Sequence, residues 1–565
     1  MEAPLLSDTV EGAIDYKGRP AIRSETGRWR SSVFIIGVGI AERFSYKGIG
    51  SNLITYLTGP LQQSTVSAAV NVNTWSGVAF MIPLFGAFVA DGYLGRYRMV
   101  FFASLLYILG LGLLTLSALL PSLISPSGLN NNNTTFCHPP QYQIIFFFSS
   151  LYLVALAQGG HRPCVQAFGA DQFDGQHPEE FKSKSSFFNW WFFGTCGGIM
   201  CSYFILNYIQ DNLSWGLGFG IPCVWMIVAL AIFLLGTKTY RYSSTDDNHN
   251  PFKRIAQVFV AAVRNWRTTQ PAAPVDEEGG GTLLLHGANQ FRFLDKALAT
   301  VSENSKKGQL VCSVNEVEET KTLLRLVPIW FTCLVFAIVS SQSSTFFTKQ
   351  GVTMDRSIGS GFKIPPASLQ TFLSLSIVLF IPIYDRVLVP IIRHFTKKPS
   401  GITMLQRIGT GLVINLIAMV VAAEVERKRL QTAIDFRIVD IPDAMVPMSV
   451  WWLVPQYILV GIAEAFTMVG LQEFFYDQMP NALRSLGVAL YLSIFGVGSF
   501  LSSFLISAID KATGGDGHDS WFPNNLNRAH LDYFYWFLAG LGALGFLFYL
   551  YFSKSYVYNR RSNVI

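Results

Sequence analysis

The chain has 565 residues, of which 50% are hydrophobic, 14% are charged and 14% are aromatic, and its mean hydropathy is +0.35. Soluble domains carry about 25% charged residues, so this composition excludes an ordinary soluble protein and is typical of one that crosses a lipid bilayer repeatedly. The formal net charge of +6 is modest for this length and does not indicate a nucleic-acid partner.

We predict about twelve membrane-spanning helices, because apolar segments of roughly 20 residues, each long enough to cross a bilayer, recur along the chain. They lie near 31–57, 68–92, 98–121, 142–163, 187–209, 217–236, 323–346, 366–389, 405–425, 449–472, 485–508 and 531–553. They fall into two groups of six, at 31–236 and 323–553, on either side of a polar stretch at 237–322. Residues 1–30 and 554–565 remain as tails. The predicted fold class is therefore an all-α membrane protein with two six-helix bundles and a linker.

The distribution of basic residues predicts that the tails and the linker are cytosolic, because basic clusters lie on one side of the predicted spans. They are Lys17, Arg19, Arg23, Arg28, Arg30, Arg96, Arg98, Arg393, Lys397, Lys398, Arg560 and Arg561. The glycosylation sequons at Asn132, Asn133 and Asn212 all fall on the other side. One loop disagrees: residues 426–429 would lie outside, although neighbouring acidic residues largely balance their basic side chains.

The first predicted span contains the ionisable residues Glu42, Arg43 and Lys47 near its middle. Charges at that depth are costly unless they are paired or face a water-filled cavity, so they indicate a solute or ion pathway. Gly39 and Tyr46 share a helix face with Glu42 and Arg43, which predicts one polar wall of a translocation cavity. For Lys47, snorkelling toward the wet edge of the cavity is the alternative interpretation.

The turn between the second and third spans, residues 86–96, resembles the cytoplasmic turn motif of major facilitator transporters. Asp91 is expected to cap or pair with a neighbouring helix end, Gly95 to allow the tight turn, and Arg96 to hold the loop at the inner surface. We assign these residues to the gating apparatus and not to the solute site. Two six-helix halves joined by a cytosolic linker are also the plan of that superfamily, whose solute site lies between the halves.

The central linker contains apolar residues at helical spacing, which predicts an amphipathic helix on the membrane surface or on the underside of the bundle. The predicted apolar face consists of Ile255, Val258, Phe259, Ala262, Val263 and Trp266. A linker that only connects the two bundles remains the alternative.

Four longer blocks, at 41–46, 159–174, 187–193 and 473–487, resemble the plant nitrate transporter 1/peptide transporter family, a branch of the proton-coupled oligopeptide transporters. The resemblance covers essentially the whole chain. It implies a major facilitator fold and secondary transport of nitrate, short peptides or organic acids such as plant hormones.

The family has an E-x-x-E-R/K motif on the first span that the resemblance links to proton coupling. Here Gly39 replaces its first carboxylate, and Glu42 is outnumbered by Arg43 and Lys47. An ionised, paired Glu42 would shuttle protons poorly. Two interpretations stay open: other carboxylates couple protons, or the protein is a facilitative or efflux transporter.

The resemblance also places a cation on the fourth span, here Arg162, opposite a carboxylate on the tenth, here Glu464. Because arginine stays charged and binds planar anions, Arg162 is expected to anchor an anion and to alternate between the solute and Glu464. A fixed salt bridge between the bundles is the alternative. Glu473 lies about half a helical turn from Glu464 in angular position, so we assign it to the cytosolic end of the helix.

Nitrate-selective relatives carry a histidine on the seventh span where this chain has Ser340. A hydroxyl can hydrogen-bond an anion but supplies no charge. The histidine mode of nitrate recognition is therefore absent, although Arg43, Lys47 and Arg162 still make the pathway cationic.

The leading hypothesis is a secondary transporter of small anionic solutes, with nitrate first, and with peptides or organic acids as alternatives. A transport-inactive solute sensor is a hypothesis of another class. We expect neither enzymatic activity nor a cofactor or metal; the expected partners are the solute, protons if transport is coupled, and the lipid bilayer. A near-match to an acidic dileucine sorting signal at Leu5 and Leu6 favours the vacuolar membrane weakly, and the plasma membrane remains open.

Overall fold

A computed structural model describes residues 9–124, 140–174, 177–243, 251–266, 291–298, 312–359, 361–396, 402–441, 444–479, 484–514 and 520–556. The sequons at Asn132 and Asn133 and the dileucine at Leu5 and Leu6 lie outside these ranges. Helices dominate the described residues, in agreement with the predicted fold class.

The helices, in chain order, are α1 (Arg28–Gly50), α2 (Leu53–Thr58), α3 (Thr65–Val89), α4 (Arg96–Ile124), α5 (Gln141–Ala170), α6 (Pro178–Asn212), α7 (Trp215–Leu235), α8 (Pro251–Arg264), α9 (Val314–Ser340), α10 (Phe346–Val352), α11 (Gln370–Ile383), α12 (Val389–Thr396), α13 (Met404–Asp435), α14 (Val454–Asp477), α15 (Arg484–Thr513) and α16 (Leu531–Ser555). Short strands are β1 (Thr9–Ile14), β2 (Pro20–Ile22), β3 (Tyr242–Ser243), β4 (Met354–Asp355), β5 (Ser357–Ile358), β6 (Phe362–Lys363) and β7 (Val446–Ser449). The strands β1, β2 and β3 form one antiparallel sheet, β4 pairs with β7 in parallel, and β5 pairs with β6.

Eleven segments of the described residues are long and apolar enough to cross a membrane. The helix α1 is not among them, because its five charged residues lower its hydropathy, yet it packs against α5, α6 and α7. With α1, these segments correspond to the twelve predicted spans. We call the end of the bundles where α1 begins and α16 ends the terminal face, and the other end the opposite face.

Several spans are interrupted, and the interruptions of the first and seventh spans lie beside the space between the bundles. The first span breaks between α1 and α2, and the seventh breaks after Ser340, where a 3-10 turn at Ser341–Ser344 precedes α10. The eighth ends in a π-helical turn at Tyr384–Leu388 before α12. In membrane proteins, irregular backbone at such depth occurs where it is buried in protein or lines a cavity.

The two bundles meet chiefly where α3 packs on α15 and where α6 packs on α11. Glycines allow the close approach: a Cβ at Gly77 would collide with the ring of Phe500, which α15 supplies. Interfaces of this kind, with small residues at the crossing point, let membrane helices approach closely.

The prediction that residues 426–429 form a loop is wrong, and their placement on the outer side stays a prediction. The helix α13 continues to Asp435, and the side chains of Glu426 and Arg429 are fully buried and form an ion pair of 2.6 Å. Glu426 and Arg429 are three residues apart and so lie on one helix face, where they neutralise each other. Two of the four residues that disagreed with the distribution of basic residues therefore form a buried ion pair on a helix.

The predicted linker helix is present as α8, and four of the six residues of its predicted apolar face, Ile255, Val258, Phe259 and Ala262, pack against the protein, whereas Val263 and Trp266 do not. Val258, Ala261 and Ala262 pack against the 3-10 turn Arg292–Leu298 and the start of α9. Val263 is 71% exposed, and Trp266 lies beyond the helix end with Lys296 over its ring at 4.8 Å. The helix α8 therefore packs on another part of the linker and on α9. A capping box of Ser313 and Glu316 begins α9 inside the stretch that was predicted as linker.

The N-terminal tail folds as a hairpin, β1 and β2, that adds β3 from the segment after α7. Glu180 at the start of α6 anchors it, accepting hydrogen bonds from Arg241, Arg28 and Arg23. Burial alone would raise the pKa of Glu180, but these cations and the Asp174 backbone N–H lower it to about 2. The tail is therefore tied to the terminal face by a carboxylate that stays ionised in all but strong acid.

Candidate functional site

A cavity of about 150 Å³ lies between the two bundles, and both bundles contribute to its wall. The side chains come from α1, α3 and α6 on one side and from α9, α11, α14 and α15 on the other. Three of the six residues that we predicted for the solute pathway line it: Lys47, Ser340 and Glu464.

Lys47 and Glu464 are the charged residues of this wall, and they come from opposite bundles. Within the described residues, no ion pair of 4 Å or less joins them, although they are close enough to interact electrostatically. A lysine ammonium offers three hydrogen-bond donors and a carboxylate offers only acceptors. The cavity therefore presents one binding group for an anion and one for a cation or a hydrogen-bond donor.

Serine hydroxyls are the commonest polar groups of the cavity wall. They belong to Ser51, Ser76, Ser340, Ser341, Ser343, Ser344 and Ser499. Four of the seven come from the break between α9 and α10, where Ser341 Oγ and Gln342 Nε2 donate to the Ile338 carbonyl. The Ser340 hydroxyl is buried and has no hydrogen-bond partner within the described residues. It is thus available to a bound solute.

Arg162 does not line this cavity and does not pair with Glu464 within 4 Å in the described structure. Its guanidinium instead lies over the ring of Phe80, 5.2 Å from the centroid, and Phe80 does line the cavity. The arrangement is a cation–π contact, which holds the charge without neutralising it. The predicted alternation of Arg162 between Glu464 and solute remains a prediction.

Glu42 and Arg43 lie one turn from Lys47 on α1, toward the terminal face. Glu42 is 2% exposed, and its Oε2 forms an ion pair of 3.3 Å with Arg43 Nε. The indole ring of Trp191 fills the space beside Gly39, because a Cβ built there would overlap the ring. The position of the missing family carboxylate is therefore occupied by an aromatic side chain from α6.

The turn motif lies at the terminal face, where Ala90–Leu94 forms a π-helical turn. Gly95 has φ +76°, a conformation that favours glycine. Arg96 forms an ion pair of 2.6 Å with Asp171 at the end of α5. The side chain of Asp91 lies outside the described residues.

Hydrogen bonds join the two bundles on the opposite-face side of the cavity. Lys349 of α10 donates to Thr58 of α2 at 3.1 Å, and Gln370 of α11 donates to the carbonyl of Ser51 at 2.9 Å. Ser502 accepts from Asn73 and from Gln342, each at 3.0 Å. These contacts connect the two bundles on this side of the cavity.

Sequence reasoning did not identify these inter-bundle contacts or the buried charge pair behind them. Glu426 accepts from Gln350 of α10 at 2.7 Å, and Gln350 lies next to Lys349. The one available signal was the spacing of Glu426 and Arg429, three residues apart on a helix that extends beyond the predicted span. The polar residues of α10 gave no periodic pattern.

Two further predicted residues lie at the surface. Asn212 ends α6 on the opposite face and is exposed. Glu473 lies near the end of α14, about half exposed, 3.7 Å from Arg407. It is remote from the cavity wall.

Comparisons with known proteins identify relatives of the whole chain. A family model described as PTR2, the POT family, matches residues 97–522. Protein NRT1/ PTR FAMILY 5.10 of Arabidopsis thaliana is 62% identical over 557 residues, or 99% of this chain and 97% of the relative. Protein NRT1/ PTR FAMILY 5.13 of the same plant is 54% identical over 558 residues, with 98% of each chain covered.

Solved structures agree at the level of the fold. The in meso crystal structure of the POT family transporter PepTSo matches with a TM-score of 0.68 at 20% identity, covering 93% of this chain and 98% of that one. The predicted major facilitator fold is therefore confirmed.

Proposed function

The chain belongs to the POT family of transporters, and from that premise we propose that it carries small anionic solutes across its membrane by alternating access, with nitrate as the first solute to test. The observation that supports this most is the placement of Lys47 in an inter-bundle cavity whose other polar groups are mainly hydroxyls. A desolvated ammonium surrounded by neutral donors is a binding group for a small anion.

The charges around the cavity support an anion further. The pathway residues comprise three cations, Lys47, Arg43 and Arg162, against the carboxylates Glu42 and Glu464. Since Glu42 is paired with Arg43, two cations remain against one carboxylate: Lys47 in the cavity wall and Arg162 behind Phe80, against Glu464. Nitrate is planar and accepts several hydrogen bonds, which Lys47 and the hydroxyl of Ser340 can donate.

A zwitterionic solute, such as a short peptide, is the second candidate, and Glu464 is the observation that favours it. Lys47 and Glu464 face one cavity with opposite charges and without a direct ion pair within 4 Å. A solute that carries a carboxylate and an ammonium group would satisfy both. Phe80, Trp75 and Phe495 in the same wall would also accept the apolar part of an organic acid.

The inter-bundle hydrogen bonds support the alternating-access part of the proposal. If the tails are cytosolic, as the basic residues predict, the opposite face is the outer one. The described conformation then corresponds to a carrier that is shut toward the outside. Opening it requires the contact of Lys349 with Thr58 to break, together with the Ser502 bridge.

Labelled-nitrate flux into proteoliposomes tests the proposal, with the pH gradient and the voltage clamped separately and a dipeptide as competitor. Lys47→Gln removes the charge and keeps hydrogen bonding, and Lys511→Gln on the exposed end of α15 is the matched control. We expect nitrate flux in the wild type and the control, and at least a tenfold loss in Lys47→Gln. Absence of nitrate flux with a dipeptide flux that needs Glu464 would favour the zwitterion instead.

A further inference from the structure

Several buried polar side chains in the N-terminal bundle have atoms without a hydrogen-bond partner in the described structure, and four of these side chains come from α1, α4 and α5. The atoms are Glu42 Oε1, Tyr107 Oη, Gln158 Oε1 and Nε2, and His161 Nε2. Each of the four residues is at most 2% exposed. Native proteins pair almost all buried polar groups, so such a concentration indicates a place for water or for a transferable proton.

The four side chains belong to one cluster. Gln158 and His161 are three residues apart on α5 and therefore share a face. The rings of His161 and Tyr107 are 6.2 Å apart between centroids, at 68°. Glu42 of α1 is close enough to act electrostatically on both. The helices α1, α4 and α5, which supply these residues, pack on one another through α5.

The ionisable surroundings of His161 come from few elements. The helix α3 has no ionisable residue, and α7 has only Cys223. The groups that face the cluster are Glu42, Arg43 and Tyr46 from α1, Tyr107 from α4, Arg162 from α5, and Cys196 from α6 beside Arg43. Glu42 is thus the carboxylate that can compensate a positive charge on His161.

We propose that Glu42, Tyr107, Gln158 and His161 form a proton site inside the N-terminal bundle, in which His161 takes up the proton that drives solute transport. This rests on the proposed transport function. His161 Nε2 has no hydrogen-bond partner within the described residues, and an imidazole nitrogen without a partner can accept a proton. In this proposal the site takes the proton-binding role of the first carboxylate of the family motif. That carboxylate is absent here, and the ring of Trp191 fills the space beside Gly39.

The geometry connects this site to the solute cavity through two neighbours. Protonated His161 attracts Glu42 and competes with Arg43, which is now 3.3 Å from the same carboxylate. Arg43 released in this way is one helical turn from Lys47, in the cavity wall. Proton uptake at His161 therefore adds a free cation to the solute pathway, which links the binding of a proton to the binding of an anion.

The binding of a proton to His161 is tested without any solute. Infrared difference spectra between pH 8 and pH 4 are recorded for the purified wild type, for His161→Gln and for His530→Gln, whose imidazole lies on the opposite face and about half exposed. We expect an imidazole protonation band that His161→Gln loses and His530→Gln keeps, with the band shifted in Tyr107→Phe. Spectra identical in wild type and His161→Gln would overturn the proton site, whatever the transported solute.

Transport then tests the coupling. In proteoliposomes, His161→Gln is expected to lose at least tenfold in uptake driven by a proton gradient, whereas its solute exchange at equal pH on both sides should persist and lose its dependence on pH. An equal loss in both assays would mean that His161 is structural and would overturn the proposal. If the wild type exchanges no solute while the imidazole band is present, the proposed function fails and the proton site stands.

Discussion

Lys47 of α1 and Glu464 of α14 face the same cavity from opposite bundles, and within the described residues no ion pair of 4 Å or less joins them. Two opposite charges that share a buried cavity without contact each lack a partner, so a solute that binds between them and pairs with one or both lowers their free energy. The relationship also connects the two halves of the transporter, because a solute held by both residues would resist their separation. The predictions below follow from this and from the structure around it.

Removing the charge of Glu464 should change the preference of the transporter for its solute rather than abolish transport. In Glu464→Gln the cavity keeps Lys47 and the hydroxyls, so nitrate flux should stay within about threefold of wild type. Dipeptide flux should fall at least tenfold, because the ammonium of the peptide loses its partner. The ratio of the two fluxes in proteoliposomes is the measurement. Equal loss of both would show that Glu464 acts in gating and not in selecting the solute.

Restoring the family carboxylate at position 39 should fail unless Trp191 is also removed. Gly39→Glu places its Cβ in the indole ring, so the helices α1 and α6 must separate. The double variant with Trp191→Ala has room for the carboxylate. We expect a low folded yield for Gly39→Glu in size-exclusion chromatography, and a yield for the double variant equal to that of Trp191→Ala alone. A wild-type yield for the single substitution would contradict the close contact.

The number and order of the spans and the charged stripe of α1 were predictable because they depend on local hydropathy and spacing. The partners of those charges were not. The contact of Arg162 with the ring of Phe80 was not predicted, and Trp191 fills a space that only the packed bundle reveals. Contacts between residues far apart in the chain are set by helix packing, which a single sequence does not encode in its periodicity. Glu426 and Arg429 were misplaced for a different reason, because α13 continues past the end of its apolar segment to Asp435.

Removing one member of the buried pair at the end of α13 should be strongly destabilising. Glu426→Gln leaves the Arg429 charge uncompensated where both side chains are fully buried, which costs about 3–5 kcal/mol. Thermal unfolding in detergent should show a large fall in the midpoint. The double variant Glu426→Leu with Arg429→Met should recover most of it, since neither charge remains. Single and double variants of equal stability would contradict the pairing.

The ion pair of Arg96 and Asp171 should affect turnover more than stability. Both side chains are about one third exposed, so the pair contributes about 0–1 kcal/mol to folding. Because it ties the turn after α3 to the end of α5, Asp171→Asn should slow solute exchange with little effect on solute affinity. The maximal rate and the half-saturating concentration of nitrate exchange separate the two. A change confined to affinity would remove this pair from the gate.

Acid should release the N-terminal tail only at very low pH. The pKa of Glu180 is lowered to about 2 from 4.5. The stabilisation that its ion pairs give to the folded tail is therefore complete above pH 4.5 and is lost as the pH falls through about 2. Limited proteolysis in the tail should therefore be unchanged between pH 8 and pH 5. Glu180→Gln should expose the tail at every pH in that range, whereas Glu25→Gln, in the exposed loop before α1, should not.

Release of the tail in the wild type between pH 8 and pH 5 would show that Glu180 does not hold it.

Direct binding of nitrate to the purified transporter tests the central claim, that Lys47 holds the solute. Isothermal titration would compare the wild type with Lys47→Gln and with the surface control Lys511→Gln at one salt concentration. We predict saturable nitrate binding to the wild type and the control, and at least tenfold weaker binding to Lys47→Gln. Equal affinity in all three would contradict the assignment of Lys47 as the anion-binding group.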